Sequence, residues 1–137
     1  MGREVFDSFA GFDDFLVYFG LSLVLLSVFI AIYVRVTPYR EIALIREGNM
    51  AASFSLSGSL LGFIVPLASA VQHSVGIADM AIWGLIAMVV QLLTFVVVKV
   101  MIPSLTQDIA ANKGAAGFFL GSLSLGVGLL NAACMSY

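Results

Sequence analysis

Ionisable residues are scarce in this chain. Its 137 residues include six Lys or Arg, eight Asp or Glu and one His. So few cations form no basic stripe against a phosphate backbone, which excludes nucleic acid as a partner. The single histidine, His73, excludes a b-type haem held by paired histidines of one chain. The single cysteine, Cys134, excludes an intrachain disulfide and has no metal-ligand neighbours, so it reads as a small buried hydrophobe. No nucleophile–base set, phosphate loop or metal cluster occurs. No cofactor is expected, and the chain reads as non-enzymatic.

What fills the chain is apolar: 61% of its residues are hydrophobic and 10% charged. Four uncharged runs, 15–34, 50–71, 80–98 and 114–137, take up most of the length. Each approaches the roughly 20 residues that a helix needs to cross a hydrocarbon core. The runs do not alternate polar and apolar residues, which excludes a transmembrane barrel. They show no charges at helical spacing, which excludes a water-soluble bundle. The expected fold is an all-α integral membrane protein with four transmembrane helices in contact with the lipid bilayer. The first run reads as a retained span, because its lead (Glu4, Asp7, Asp13, Asp14) is acidic and no small-x-small site precedes Arg35.

Basic residues set the expected sidedness. Arg35, Arg40 and Arg46 lie between spans one and two, and Lys99 and Lys113 between three and four, whereas Arg3 alone flanks the other side. Basic loops stay cytoplasmic, so both termini are expected in the periplasm.

The chain also reads as a duplication. A shift of 64 residues pairs Gly20 with Gly84, Arg35 with Lys99 and Leu61-Gly62 with Leu125-Gly126. The same shift pairs Ala51-Ala52-x-Phe54-x-Leu56 with Ala115-Ala116-x-Phe118-x-Leu120. Each unit holds two spans, so the two units are parallel repeats about an axis along the membrane normal. The expected organisation is an outer tail at 1–14, repeat 1 at 15–71, an outer connection at 72–79 and repeat 2 at 80–137.

The loop after span one mixes charge with Ile42, Leu44 and Ile45, which suits a short interfacial helix with Pro38 in its first turn. Gly48 then breaks the run, and Asn49 suits a cap on span two. Arg40, Glu41, Arg46, Glu47 and Asn49 form a candidate docking surface for a cytoplasmic partner. The segment from Pro103 to Gly114 has the same outline with less charge.

Spans two and four carry small residues four apart: Gly58 and Gly62, Gly117 and Gly121, Ser122 and Gly126. Such spacing lets helix backbones approach closely, so these spans are expected to pack tightly, within the chain or across a homo-oligomer. Spans one and three are bulkier (Leu23, Leu25, Leu26, Phe29; Met88, Leu92, Leu93, Phe95) and are expected to face lipid. Pro66 predicts a kink in span two and frees the Gly62 carbonyl, and the Asn131 amide is expected to pair with backbone near that kink. Gln91, Asn131, Ser55 and Ser59 are the candidate polar intramembrane residues. No Asp, Glu, Lys or Arg lies mid-span, which counts against a proton-coupled antiporter.

The runs 41–52 (EIALIREGNMAA) and 62–70 (GFIVPLASA) and the ending 129–135 (LLNAACM) resemble the YjfL-like family of uncharacterised bacterial inner-membrane proteins, domain of unknown function 350. The resemblance covers almost the whole chain from span one onward. It implies an inner-membrane protein with a duplicated two-span unit and no assigned catalytic residues. It further implies an association with membrane-stress partner proteins, and so a role in envelope maintenance or stress response. Two functions follow: an oligomeric scaffold or anchor that recruits a partner through 40–49, or an oligomeric channel or transporter for an ion or small solute.

Overall fold

The computed structural model describes Gly2, Val5, Phe9 and residues 11–135. Much of the tail expected at 1–14, and residues 136 and 137 of the fourth run, lie outside the described residues. Four long helices carry the fold: α1 (Phe12–Val36), α3 (Met50–His73), α4 (Ile77–Met101) and α6 (Gly114–Cys134). Two short helices of six residues each, α2 (Glu41–Arg46) and α5 (Leu105–Ala110), sit in the basic connections. All four long helices are long and apolar enough to span a membrane. Large apolar side chains such as Phe19, Leu23, Ile64, Ile82, Val89, Leu93, Phe118 and Leu130 cover their outer surfaces.

The helices alternate in direction. Leu25 lies against Gly84 and Tyr33 against Phe95, so α1 and α4 run parallel. Ala51 meets Gly117, Gly58 meets Gly121 and Gly62 meets Gly128, so α3 and α6 also run parallel. The central helix is α3, which buries eleven residues against the other three. Its main partner is α6. Along their seam the backbones touch, and a Cβ on Gly117, Gly121 or Gly128 would strike the carbonyl of Ala51, Phe54 or Gly62. A Cβ on Gly58 would strike the backbone of Gly121 itself. Between lipid-solvated helices no hydrophobic drive remains, so this close dispersion contact is what the glycines provide.

Aromatic stacking holds the other side. Phe29 of α1 stacks on Phe63 of α3 with centroids 4.6 Å apart, and Tyr33 meets Phe95 of α4 edge-on at 5.9 Å. Only Leu25, Phe29 and Tyr33 of α1 are fully buried, and its first half packs more loosely, through the partly buried Tyr18 and Leu21.

Three sequence expectations need correction here. Span three does not lie out in the lipid. Helix α4 buries Met80, Gly84, Ala87, Met88, Gln91, Thr94, Phe95 and Val98, a continuous face at helical spacing, against five buried residues on α6. Its bulk is divided between two faces, and bulk alone does not reveal which face turns inward. Pro38 and Pro103 lie just before α2 and α5 rather than in their first turns. Cys134 is exposed, not buried, because it faces outward at the last turn of α6.

The two connections end alike. In the first, Gly48 has φ +86°, its N–H donates to Ile45 O at 3.0 Å, and Asn49 N donates to Leu44 O at 2.9 Å. In the second, Asn112 has φ +60°, its N–H donates to Ile109 O at 3.0 Å, and Lys113 N donates to Asp108 O at 2.9 Å. Both are Schellman turns, closed by the two residue types that tolerate the left-handed region.

Candidate functional site

Polar groups gather in two zones. The first lies in the membrane-spanning region, where α3, α4 and α6 meet. Proline at position 66 has no N–H to give the Gly62 carbonyl. Gln91 Nε2 supplies the donor instead, at 3.1 Å, and donates equally to Ser124 O at 3.0 Å. One amide group thus ties three helices together. Nearer the basic loops, Ser59 Oγ lies 2.9 Å from the Tyr33 hydroxyl and 3.4 Å from Ser124 Oγ. Ser55 Oγ donates to Ala52 O of its own helix at 3.1 Å. All five of these side-chain groups, Gln91, Ser59, Tyr33, Ser124 and Ser55, are buried.

Asn131 is not the partner of the Gly62 carbonyl. Its Nδ2 is buried without a hydrogen bond among the described residues, although Asn131 lies only three residues beyond Gly128, which packs on the Gly62 carbonyl. Gln91 Oε1 is likewise buried and unpartnered. Of the small residues singled out, Gly58, Gly62, Gly117 and Gly121 lie in the α3–α6 seam, whereas Ser122 is exposed and a Cβ on Gly126 would meet nothing within 4 Å. The seam continues instead through Ser124 and Gly128. Spacing puts 117, 121, 124 and 128 on one helical face, but choosing that face over the one through 122 and 126 takes the packing against α3.

The second zone is the basic-loop end. Asn49 caps α3, its Oδ1 accepting from Ala52 N at 2.8 Å. Its Nδ2 donates to Ile109 O at 2.9 Å and Ala110 O at 3.3 Å, while Asn112 Oδ1 accepts from Ala51 N at 3.1 Å. The two connections are therefore locked to each other. Asn49 is buried in that lock, so it presents nothing to a partner. Arg40, Arg46 and Glu47 are exposed around an open hollow of about 580 Å³ that also involves Val34 and Ile42.

Glu41 departs furthest from expectation. It opens α2 but turns inward and is 1% exposed. Both carboxylate oxygens lack a hydrogen bond, and among the described residues the only ion pair is Lys113–Asp108. Burial pushes the Glu41 carboxyl up to about 7, an effect the nearby Thr37 and Tyr39 hydroxyls only partly oppose. Burial also raises the Tyr39 phenol, with the Glu41 charge as the second cause. By contrast, the Ser104 hydroxyl and Lys113 hold the half-buried Asp108 carboxyl below its usual range.

Four apolar helices that pack through glycine seams and bury their polar groups against one another define a multi-pass α-helical membrane protein. Among the described residues no group of His, Cys, Asp or Glu is placed to hold a metal ion. Residues 7–135 match the model of the Domain of Unknown Function DUF350, and the chain belongs to that family. It is 41% identical over 134 residues to the UPF0719 inner membrane protein YjfL of Escherichia coli strain K12, covering 98% of this chain and 99% of that one. The UPF0719 transmembrane protein YshE of Bacillus subtilis strain 168 is 26% identical over 122 residues, or 85% of this chain and 88% of that one. No solved structure matches the chain.

Proposed function

We propose that this protein is a non-enzymatic scaffold or anchor of the inner membrane that recruits a cytoplasmic partner through the exposed Arg40, Arg46 and Glu47 of its first basic connection. One observation carries this reading: the polar residues suited to line a path are turned against neighbouring helices. Ser59 and Gln91 bond across helices and Ser55 bonds its own backbone, while the α3–α6 seam closes backbone to backbone. No Asp, Glu, Lys or Arg lies in the middle of a span to carry coupled transport. Charge is concentrated at the loop end instead, around the open hollow. The role in envelope maintenance or stress response rests on the family resemblance.

The architecture beneath this role is two parallel two-span repeats. The Schellman turns at Gly48 and Asn112, 64 residues apart, support it, as does the parallel pairing of α1 with α4 and α3 with α6. Both termini are placed in the periplasm on the strength of the basic residues. The exposed Ser122 and the half-buried Gly126, which has open space beside it, leave a second small-residue face on α6 for a homo-oligomer. Affinity recovery from crosslinked membranes tests the scaffold: a partner captured by wild type and lost with Arg40→Glu/Arg46→Glu supports it, and unchanged recovery removes this surface.

The buried, unpartnered Gln91 Oε1 and Asn131 Nδ2 favour the alternative, an oligomeric channel or transporter. Selective ion flux in liposomes that is abolished by Asn131→Leu would establish it in place of the scaffold.

A further inference from the structure

We propose that Glu41 is a proton-binding site: α2 docks on the bundle with the Glu41 carboxyl protonated, and ionisation of that carboxyl loosens α2 and its connector. The chemistry follows from what surrounds the group. A carboxylate removed from water needs a cation or several hydrogen-bond donors, and Glu41 has neither an ion pair nor a closed hydrogen bond. The side chains facing it are those of Thr37 and Tyr39 on its own connection, with the Tyr33 phenol of α1 deeper in. Ser55, beside Tyr39, is the polar group facing this cluster from α3, and α4 contributes the Phe95 ring against both tyrosines. The charged side chains of the segment, Arg40, Arg46 and Glu47, are exposed and line the same open hollow as Glu41, and neither arginine is within ion-pair distance of its carboxyl.

A neutral carboxylic acid suits this pocket. It carries no charge to desolvate, and its O–H gives the unpartnered Tyr39 hydroxyl a donor. An ionised Glu41 is compensated only in part by the Thr37 and Tyr39 hydroxyls where it lies, and is fully relieved by reaching water. The backbone permits that movement, since α2 is only six residues long and is bounded by bends at 37–39 and by Gly48. The sign of the effect is set by the direction of the shift. A carboxyl raised from 4.5 to about 7 contributes its full stabilisation below pH 4.5 and loses it progressively up to about pH 7. Under the scaffold reading, proton occupancy would then set how the Arg40–Arg46 surface is presented. The proton site itself does not depend on that reading: a failed partner capture leaves Glu41 titrating, and an untitrated Glu41 leaves capture intact.

The test uses the full chain in lipid nanodiscs with glutamate ¹³C-labelled at its side-chain carboxyl. The infrared band of a protonated carboxylic acid is followed from pH 4 to 9, alongside hydrogen exchange at α2. The chain has three glutamates, so Glu4→Gln/Glu47→Gln leaves Glu41 as the sole labelled acid and keeps the test independent of how Glu41→Gln folds. The expected result is a protonated band that persists above pH 6 in wild type and in Glu4→Gln/Glu47→Gln. Exchange at α2, corrected for its intrinsic pH dependence, should quicken on the order of tenfold between pH 6 and 8, as expected when a carboxyl with a midpoint near 7 loses its proton. In Glu41→Gln the band is lost and α2 exchange becomes independent of pH. A sole-glutamate band that titrates near pH 4.5, or α2 exchange with no pH dependence in wild type, overturns the proposal.

Discussion

Gln91 has two amide hydrogens, and both are used on backbone carbonyls of neighbouring helices. Gln91→Leu keeps the shape of the side chain but strands the Gly62 carbonyl that Pro66 has already left short of a donor. In membranes such bonds contribute modestly, so a loss of about 1 kcal/mol is expected, read as a lowered midpoint in detergent-denaturation titrations. The glycines separate more sharply. Gly121→Ala places a methyl group against the Phe54 carbonyl and should cost about 1–3 kcal/mol by overpacking. Gly126→Ala, with open space around it, should lie within about 0.5 kcal/mol of wild type. Equal costs at the two positions would refute the seam as the main contact. Both glycines look alike in the sequence. Helical phase relative to α3 distinguishes them, and only the packed pair reveals that phase.

At the scale of elements, the two basic connections act as one clasp. Asn49 performs two tasks with separate atoms: Oδ1 caps α3 and Nδ2 holds the end of α5. Asn49→Asp should preserve the cap and lose the cross-link, whereas Asn49→Ala loses both, at about 0.5–2 kcal/mol for the cap alone. Hydrogen exchange separates the tasks. In Asn49→Asp the α5 amides should quicken while the first turn of α3 stays protected, and in Asn49→Ala both should quicken. The cap at Asn49 was legible because Gly-Asn ahead of an apolar run is a local signal. The link to Ile109 was not, since its acceptors are backbone carbonyls about 60 residues away that no side-chain pattern marks. Glu41 was misjudged for a related reason. A charge in a short loop ordinarily faces water, and only the packing of Thr37, Tyr39 and Tyr33 around it shows the inward turn.

For the whole molecule, the placement of both basic connections on the cytoplasmic side is open to direct measurement. In a Cys134→Ser background, Arg46→Cys should be shielded from membrane-impermeant maleimide in intact cells and react once the membrane is opened. Val75→Cys, in the connection between α3 and α4 where the side chain is 93% exposed, should react from outside. The opposite pattern would invert the topology and place Glu41 and the arginines in the periplasm.

Solvent and span number were set by the sequence alone, because a chain with long uncharged runs has only one medium in which those runs are stable. The short loop helices and the cap at Asn49 were also local matters, written in Gly, Asn and the apolar spacing around them. Tertiary structure decided the rest. It chose which face of α4 is buried, gave the Gly62 carbonyl to Gln91 rather than Asn131, continued the seam through Gly128 rather than Gly126, and enclosed Glu41. Each of these choices depends on the rotation of one helix about its axis relative to another. In a bilayer, where lipid tails solvate every apolar face alike, hydrophobic pattern carries little information about that rotation, and backbone fit and hydrogen bonds set it.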